Sequence, residues 1–137
     1  MKTLKFSLSN DKLKNIKEWS DIENPKVYSF SLLSGYSCPS AKDCQTYAVA
    51  DKVTGKRKVV DGKHAEFRCF SARDEARLTS VYNQRKHNFD ALKDIRDDYI
   101  DMAILIQRSL PRNATYIRVH VGGDFFTKAY MQAWYLV

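Results

Sequence analysis

Alternating apolar and polar residues predict five short strands in this chain. The predicted strands cover residues 3–8, 27–33, 47–52, 57–60 and 115–121. The last of them has the clearest alternation, because Ile117, Val119 and Val121 share one face. Gly55 lies between the third and fourth strands, so these two predict a β-hairpin with the glycine in the left-handed conformation.

Apolar residues at helical spacing predict four helices, which cover residues 12–19, 71–88, 90–110 and 127–137. Pro111 ends the third of them. Thr127 is a suitable N-cap for the fourth, and Tyr130, Ala133 and Trp134 form its apolar stripe. We expect Tyr130 and Trp134 to be core residues.

Strands that alternate with helices are typical of a parallel sheet built from right-handed crossovers. No repeat or flexible linker divides the sequence, so residues 1–137 predict a single α/β domain. Two core strands do not close a sheet, and the last helix ends without a capping signal. We therefore expect an amino-terminal fragment, the first part of a larger α/β barrel of about 250 residues with an inserted hairpin.

Composition and charge narrow the function classes. Apolar residues make up 44% of the chain and charged residues 28%, which is typical of a globular protein. No apolar run is long enough to span a membrane and no export signal is present, so we expect a cytoplasmic protein without a membrane partner. Residues 52–68 carry +4 of the net charge of +7. This basic hairpin is either a solvated surface or a weakly indicated nucleic-acid site.

The chain has three cysteines, Cys38, Cys44 and Cys69, in the spacing C-x5-C-x24-C. An odd number of cysteines without an export signal indicates reduced thiols rather than a disulfide scaffold. Three thiolates can hold three irons of a [4Fe-4S] cluster and leave the fourth iron open to a ligand. Zinc held by the same thiols together with His64 is an alternative, and so are three unrelated thiols.

A second candidate feature is Gly122-Gly123-Asp124, directly after the strand at residues 115–121. A glycine pair there exposes backbone to a ligand, and the carboxylate can accept from an ammonium group. A plain strand-to-helix turn is the alternative. We expect a structural role for His120, beside this turn.

Three further polar or aromatic residues are candidates for the same site. Arg85 and Asn88 share one helix face at i and i+3. They are either ordinary polar residues of a surface helix, which is the default interpretation, or residues that contact a carboxylate or the cysteine loop. Tyr36 precedes Cys38 by two residues and packs either on a bound cluster or on the core.

Four segments together resemble the bacteriophage gene-product-88-like family, which is itself similar to the radical S-adenosylmethionine (radical SAM) superfamily. These segments are residues 37–44, residues 67–72, Arg85-x-x-Asn88 and residues 118–126. The resemblance covers about residues 28–137 and implies a partial (β/α) barrel of radical SAM type. The spacing departs from the superfamily's usual C-x3-C-x2-C, and Asp124 stands where Glu is usual.

The resemblance also implies cofactors and residue roles. Cys38, Cys44 and Cys69 would bind a [4Fe-4S] cluster, and Gly122, Gly123 and Asp124 would face the amino group of S-adenosylmethionine. A reductant would then generate a 5′-deoxyadenosyl radical that acts on a substrate the sequence does not identify. A phage-encoded protein of this kind would work in the host cytoplasm. The alternative of another class is a non-catalytic, zinc- or metal-stapled basic module that binds nucleic acid or a host protein.

Overall fold

The computed structural model describes residues 2–8 and 25–137. Among them lie five strands: β1 Ser7–Leu8, β2 Val27–Phe30, β3 Tyr47–Ala50, β4 Arg57–Val60 and β5 Tyr116–Val119. The α-helices are α1 Phe70–Arg77, α2 Thr79–Lys93, α3 Tyr99–Ser109 and α4 Lys128–Leu136. The helix predicted over residues 12–19 lies outside the described residues.

The strands form two separate small sheets. The first has the order β1-β2-β5, in which β1 is antiparallel to β2 and β2 is parallel to β5. In the parallel pair, Phe30 lies opposite Val119, so the carboxyl ends of β2 and β5 are side by side. The second sheet is the predicted hairpin of β3 and β4, and Gly55 in its turn has the expected positive φ of 73°.

The expected parallel (β/α) partial barrel of radical SAM type is wrong. The described residues form a mixed α/β structure with two small sheets and no closed barrel. One parallel pair is present, and the antiparallel β1 occupies the free side of β2 where a barrel would continue with a parallel strand. The hairpin pairs only with itself, so it does not extend the first sheet.

The helices are shorter than predicted because the chain breaks twice. The helix expected over residues 71–88 is interrupted at Leu78, whose extended backbone separates α1 from α2. The helix expected over residues 90–110 is interrupted before Asp98, which caps α3 by accepting a hydrogen bond from the Asp101 backbone N–H at 3.0 Å. Neither break contains glycine or proline, so the apolar period alone does not reveal it.

The core lies between the three-stranded sheet and helices α2, α3 and α4. Its fully buried members are Phe30, Leu32, Leu92, Met102, Ile106, Tyr130 and Ala133. Each buried large apolar side chain contributes about 1.5–3 kcal/mol to folding. Thr127 caps α4 as predicted, because its hydroxyl accepts from the Tyr130 N–H at 3.1 Å. In the described part of the chain, every helix is too short or too polar to cross a membrane.

Candidate functional site

The loops that follow β2 and β5 are joined by hydrogen bonds. The Leu32 N–H donates to the Gly122 carbonyl at 3.0 Å, and the Gly122 N–H donates to Ser31 Oγ at 3.2 Å. The Asp124 N–H donates to Ser37 Oγ at 3.2 Å. The cysteine loop and the Gly-Gly-Asp turn therefore form one unit at the carboxyl edge of the parallel pair, as their places in the sequence predict.

Close packing explains both glycines of this turn. A Cβ atom on Gly122 would lie 2.6 Å from Arg85 Nη1, and one on Gly123 would lie 2.5 Å from Ser37 Oγ. Gly123 also has a φ of 84°, a backbone conformation that residues with a side chain rarely adopt. Both backbone groups of Gly122 bind within the protein. Asp124 is exposed, and Oδ1 of its carboxylate accepts from the Phe125 N–H at 2.7 Å.

Cys38 and Cys44 line one surface pocket of about 270 Å³. Gly35, with a φ of 79°, begins the turn, and the Cys38 N–H donates to its carbonyl at 3.1 Å. Tyr36 lines the same pocket, and its hydroxyl donates to the Ala48 carbonyl at 3.1 Å. The tyrosine thus lies beside two thiols while it is bonded to the hairpin.

Cys69 reaches the same region from the start of α1. Its backbone N–H donates at 3.2 Å to the hydroxyl of Thr46, which is buried two residues after Cys44. Burial raises the pKa of the Cys38 thiol, and the nearby charges of Asp124 and Cys69 raise it further. Hydrogen bonds from neighbouring residues oppose this shift. Hydrogen bonds thus join Asp124 to Ser37, the neighbour of Cys38, and Cys69 to Thr46 in the same loop.

All three cysteines are free and half-buried. Their chemistry and shared location fit a metal centre with thiolate ligands. However, no three His, Cys, Asp or Glu side chains among residues 2–8 and 25–137 are arranged to hold a metal ion. His64, the fourth zinc ligand considered above, instead pairs with Glu66 at 3.4 Å and contacts the ring of Phe67. The thiols are therefore gathered in one region without forming a ready ligand set.

Arg85 lies in a buried ion pair behind the site. Its Nη1 is 2.6 Å from Oε2 of Glu75, and Glu75 is fully buried. The same carboxylate accepts from the Ser34 N–H at 3.0 Å and from the Ser34 hydroxyl at 2.7 Å. This pair anchors the start of the cysteine loop to α1 and α2.

Glu75 is the site residue whose role the sequence does not reveal. Its position near the start of the predicted helix indicates a favourable interaction with the helix dipole. In the structure it shares the buried side of α1 with Ala72, at a spacing of three residues. That spacing is the one local signal of its burial.

Both polar atoms of the Asn88 side-chain amide form hydrogen bonds with backbone groups. Its Oδ1 accepts from the Lys5 N–H at 2.8 Å, and its Nδ2 donates to the carbonyls of Lys5 at 2.9 Å and Ser31 at 3.2 Å. Asn88 therefore ties the chain before β1 to the chain after β2. The predicted shared face of Arg85 and Asn88 is present, and both side chains are buried.

His120 directly follows β5 and has an unusual backbone conformation. Its φ is 67°, which is uncommon for a residue other than glycine. Residues with such strained backbone conformations cluster at functional sites. The Nε2 atom of His120 lies 2.9 Å from the hydroxyl of the buried Tyr130, and its ring packs against Phe125. Burial lowers the pKa of His120 to about 4, with Asp124 acting in the opposite direction. The imidazole is therefore neutral at physiological pH.

Comparison with known proteins gives one match. The family described as gene product 88 matches residues 3–137, which is nearly the whole chain. No curated protein matches the sequence, and no solved structure matches the fold. Nothing in these comparisons links the chain to radical SAM proteins. The chain belongs to the gene product 88 family.

Proposed function

We propose that this protein binds an iron–sulfur centre through Cys38, Cys44 and Cys69. The observation that carries the proposal is that three distant cysteines lie around one end of the parallel strand pair, two of them in one pocket. Cysteine thiolates are the usual ligands of such clusters, and three of them fit a [4Fe-4S] cluster with one open iron.

Binding has to draw the thiols closer together than the structure places them, since no three candidate side chains among the described residues are arranged to hold a metal ion. Cys38 and Cys44 lie in a segment of turns and bends, so a shift of the two thiols would break no helix or sheet. Metal binding commonly supplies the free energy for such ordering. Burial raises the pKa of the Cys38 thiol, and a bound cation would offset this by favouring the thiolate.

The resemblance to radical SAM proteins adds a finer proposal about the ligand. An iron without a protein ligand can bind a small molecule, and S-adenosylmethionine is the ligand that the resemblance implies. Asp124 is exposed and its backbone N–H is bonded to Ser37, the neighbour of Cys38, so its carboxylate can accept a hydrogen bond from the amino group of a ligand at the cluster. When bound to a reduced cluster, this ligand supplies radical chemistry.

The metal content tests the proposal directly. Anaerobic reconstitution should yield about four iron and about four sulfide per chain. We expect alanine at Cys38, Cys44 or Cys69 to remove most of both, whereas Ser40→Ala, at an exposed position of the same loop, should retain them. A protein that takes up only zinc would overturn the cluster, and one that binds no metal would overturn any metal centre.

A second measurement addresses the ligand separately. Isothermal titration of the reconstituted protein with S-adenosylmethionine should show binding that Asp124→Ala weakens. If the reconstituted wild-type protein does not bind it, the ligand proposal fails while the cluster proposal stands.

A further inference from the structure

A basic groove of about 590 Å³ lies between strand β4 and helix α1. Five cationic side chains line it against the single carboxylate of Asp74, and the ring of Phe70 lies among them with 82% of the residue exposed. The cations are Arg57, Lys58, Arg68, Arg73 and Arg77.

Much of this positive charge is available to a ligand. Arg77 pairs with Asp74 at 3.3 Å, and Arg68 pairs with Asp61. Lys58 and Arg73 are exposed, and neither forms a salt bridge with any described residue.

Arg57 provides a fixed cation in the wall of the groove. Its guanidinium donates to the Glu75 carbonyl at 3.0 Å and to Thr79 Oγ1 at 2.9 Å, and it lies over the ring of Tyr82. Because these contacts are neutral, they hold the side chain in place without cancelling its charge.

We propose that the basic groove binds single-stranded nucleic acid. Planar guanidinium groups match phosphate oxygens, and four of the five cations are arginines. An exposed aromatic ring beside such charges is typical of surfaces on which unpaired bases stack. A duplex keeps its bases stacked inside, and the carboxylates of an acidic protein match the cations but do not themselves stack on Phe70 as a base does.

The sequence alone does not reveal this combination. Residues 52–68 supply three of the cations, while α1 brings Phe70, Arg73 and Arg77 to the opposite wall. The groove therefore exists only once the hairpin packs against α1, and three of the six cations of the basic stretch line it.

The test is fluorescence anisotropy with a labelled, mixed-sequence DNA strand of about 15 nucleotides, close to the upper site size of many single-strand binders. Binding should weaken between about 50 and 200 mM salt. In a plot of the logarithm of the association constant against the logarithm of the salt concentration, each phosphate contacted should contribute about −0.7 to the slope. Phe70→Ala should weaken binding about 10-fold through lost stacking. Arg73→Ala should weaken it and reduce the steepness of the salt dependence by about 0.7.

Two matched controls lie outside the groove. Tyr135 is as exposed as Phe70, at 83%, and Arg112 is an exposed arginine, so their alanine variants should bind like the wild-type protein. Thermal unfolding of each variant shows whether the fold is retained.

Four outcomes would overturn the proposal. These are no binding of the strand at low salt, equal losses in groove and control variants, tighter binding of the matching duplex, and equally tight binding of polyglutamate. The last would instead indicate an acidic protein partner.

Discussion

Replacing Arg85 with alanine should strongly destabilise the protein, because it leaves a buried carboxylate without its counter-charge. Glu75 is fully buried, and its Oε2 lies 2.6 Å from Arg85 Nη1. The hydrogen bonds from Ser34 remain in the variant, but they do not neutralise the carboxylate. Breaking one partner of a buried ion pair typically costs about 3–5 kcal/mol. That is a large share of the roughly 5–15 kcal/mol by which small domains are stable.

An exposed ion pair in α1 provides the matched control. Arg77 and Asp74 lie 3.3 Å apart, with 73% and 50% of their side chains exposed. Solvent screens such pairs, so Arg77→Ala should cost less than about 1 kcal/mol. Removing both charges of the buried pair, as in Arg85→Met with Glu75→Leu, should be less damaging than Arg85→Ala alone, because no lone charge remains.

Urea unfolding followed by far-UV circular dichroism measures these differences. With a slope of about 2 kcal/mol per M, a loss of about 4 kcal/mol moves the midpoint down by about 2 M. The reasoning is refuted if Arg85→Ala costs no more than Arg77→Ala. It is also refuted if the double variant loses as much stability as Arg85→Ala alone.

Two further predictions concern the turn after β5. Gly123→Ala should destabilise the protein clearly more than Gly55→Ala. Both glycines have positive φ, but only a Cβ atom on Gly123 would lie 2.9 Å from the Leu32 carbonyl oxygen. Equal losses of stability in urea unfolding would contradict the packing explanation. His120 should titrate near pH 4 by NMR, below its ordinary pKa of 6.5. Because the unfolded chain binds this proton more readily, stability should fall by about 3 kcal/mol as the pH drops from 6.5 to 4. A midpoint near 6.5 would contradict this.

Local features of the fold are predictable from the sequence. The hairpin turn at Gly55 and the cap at Thr127 each depend on residues a few positions apart, and both are confirmed. The strand around Ile117 is also present, although it is shorter at both ends than the alternation predicts. These features need no knowledge of how distant segments pair.

The barrel prediction failed because strand pairing over long distances has no local signal. Alternation shows that β1 is extended, but it does not show whether β1 runs parallel or antiparallel to β2. The break at Leu78 is similar, since leucine is a good helix former and its extended backbone depends on how α1 and α2 pack.

The candidate site shows the same division between local and distant information. The sequence places the cysteine loop and the Gly-Gly-Asp turn each directly after a predicted strand, and hydrogen bonds join the two segments in the structure. It does not show that Arg85 fills the space over Gly122, because this contact joins α2 to a turn more than thirty residues later. A glycine that admits a neighbouring side chain looks the same in sequence as one that admits a ligand.

The two proposals connect at the start of α1. Cys69 precedes the helix and its backbone is bonded to the cysteine loop, whereas the next residue, Phe70, lines the basic groove. Successive residues at this point therefore face the proposed metal centre and the proposed nucleic-acid surface. The experiments above separate the sites, because Arg73→Ala should affect the strand alone and Cys44→Ala should remove the metal.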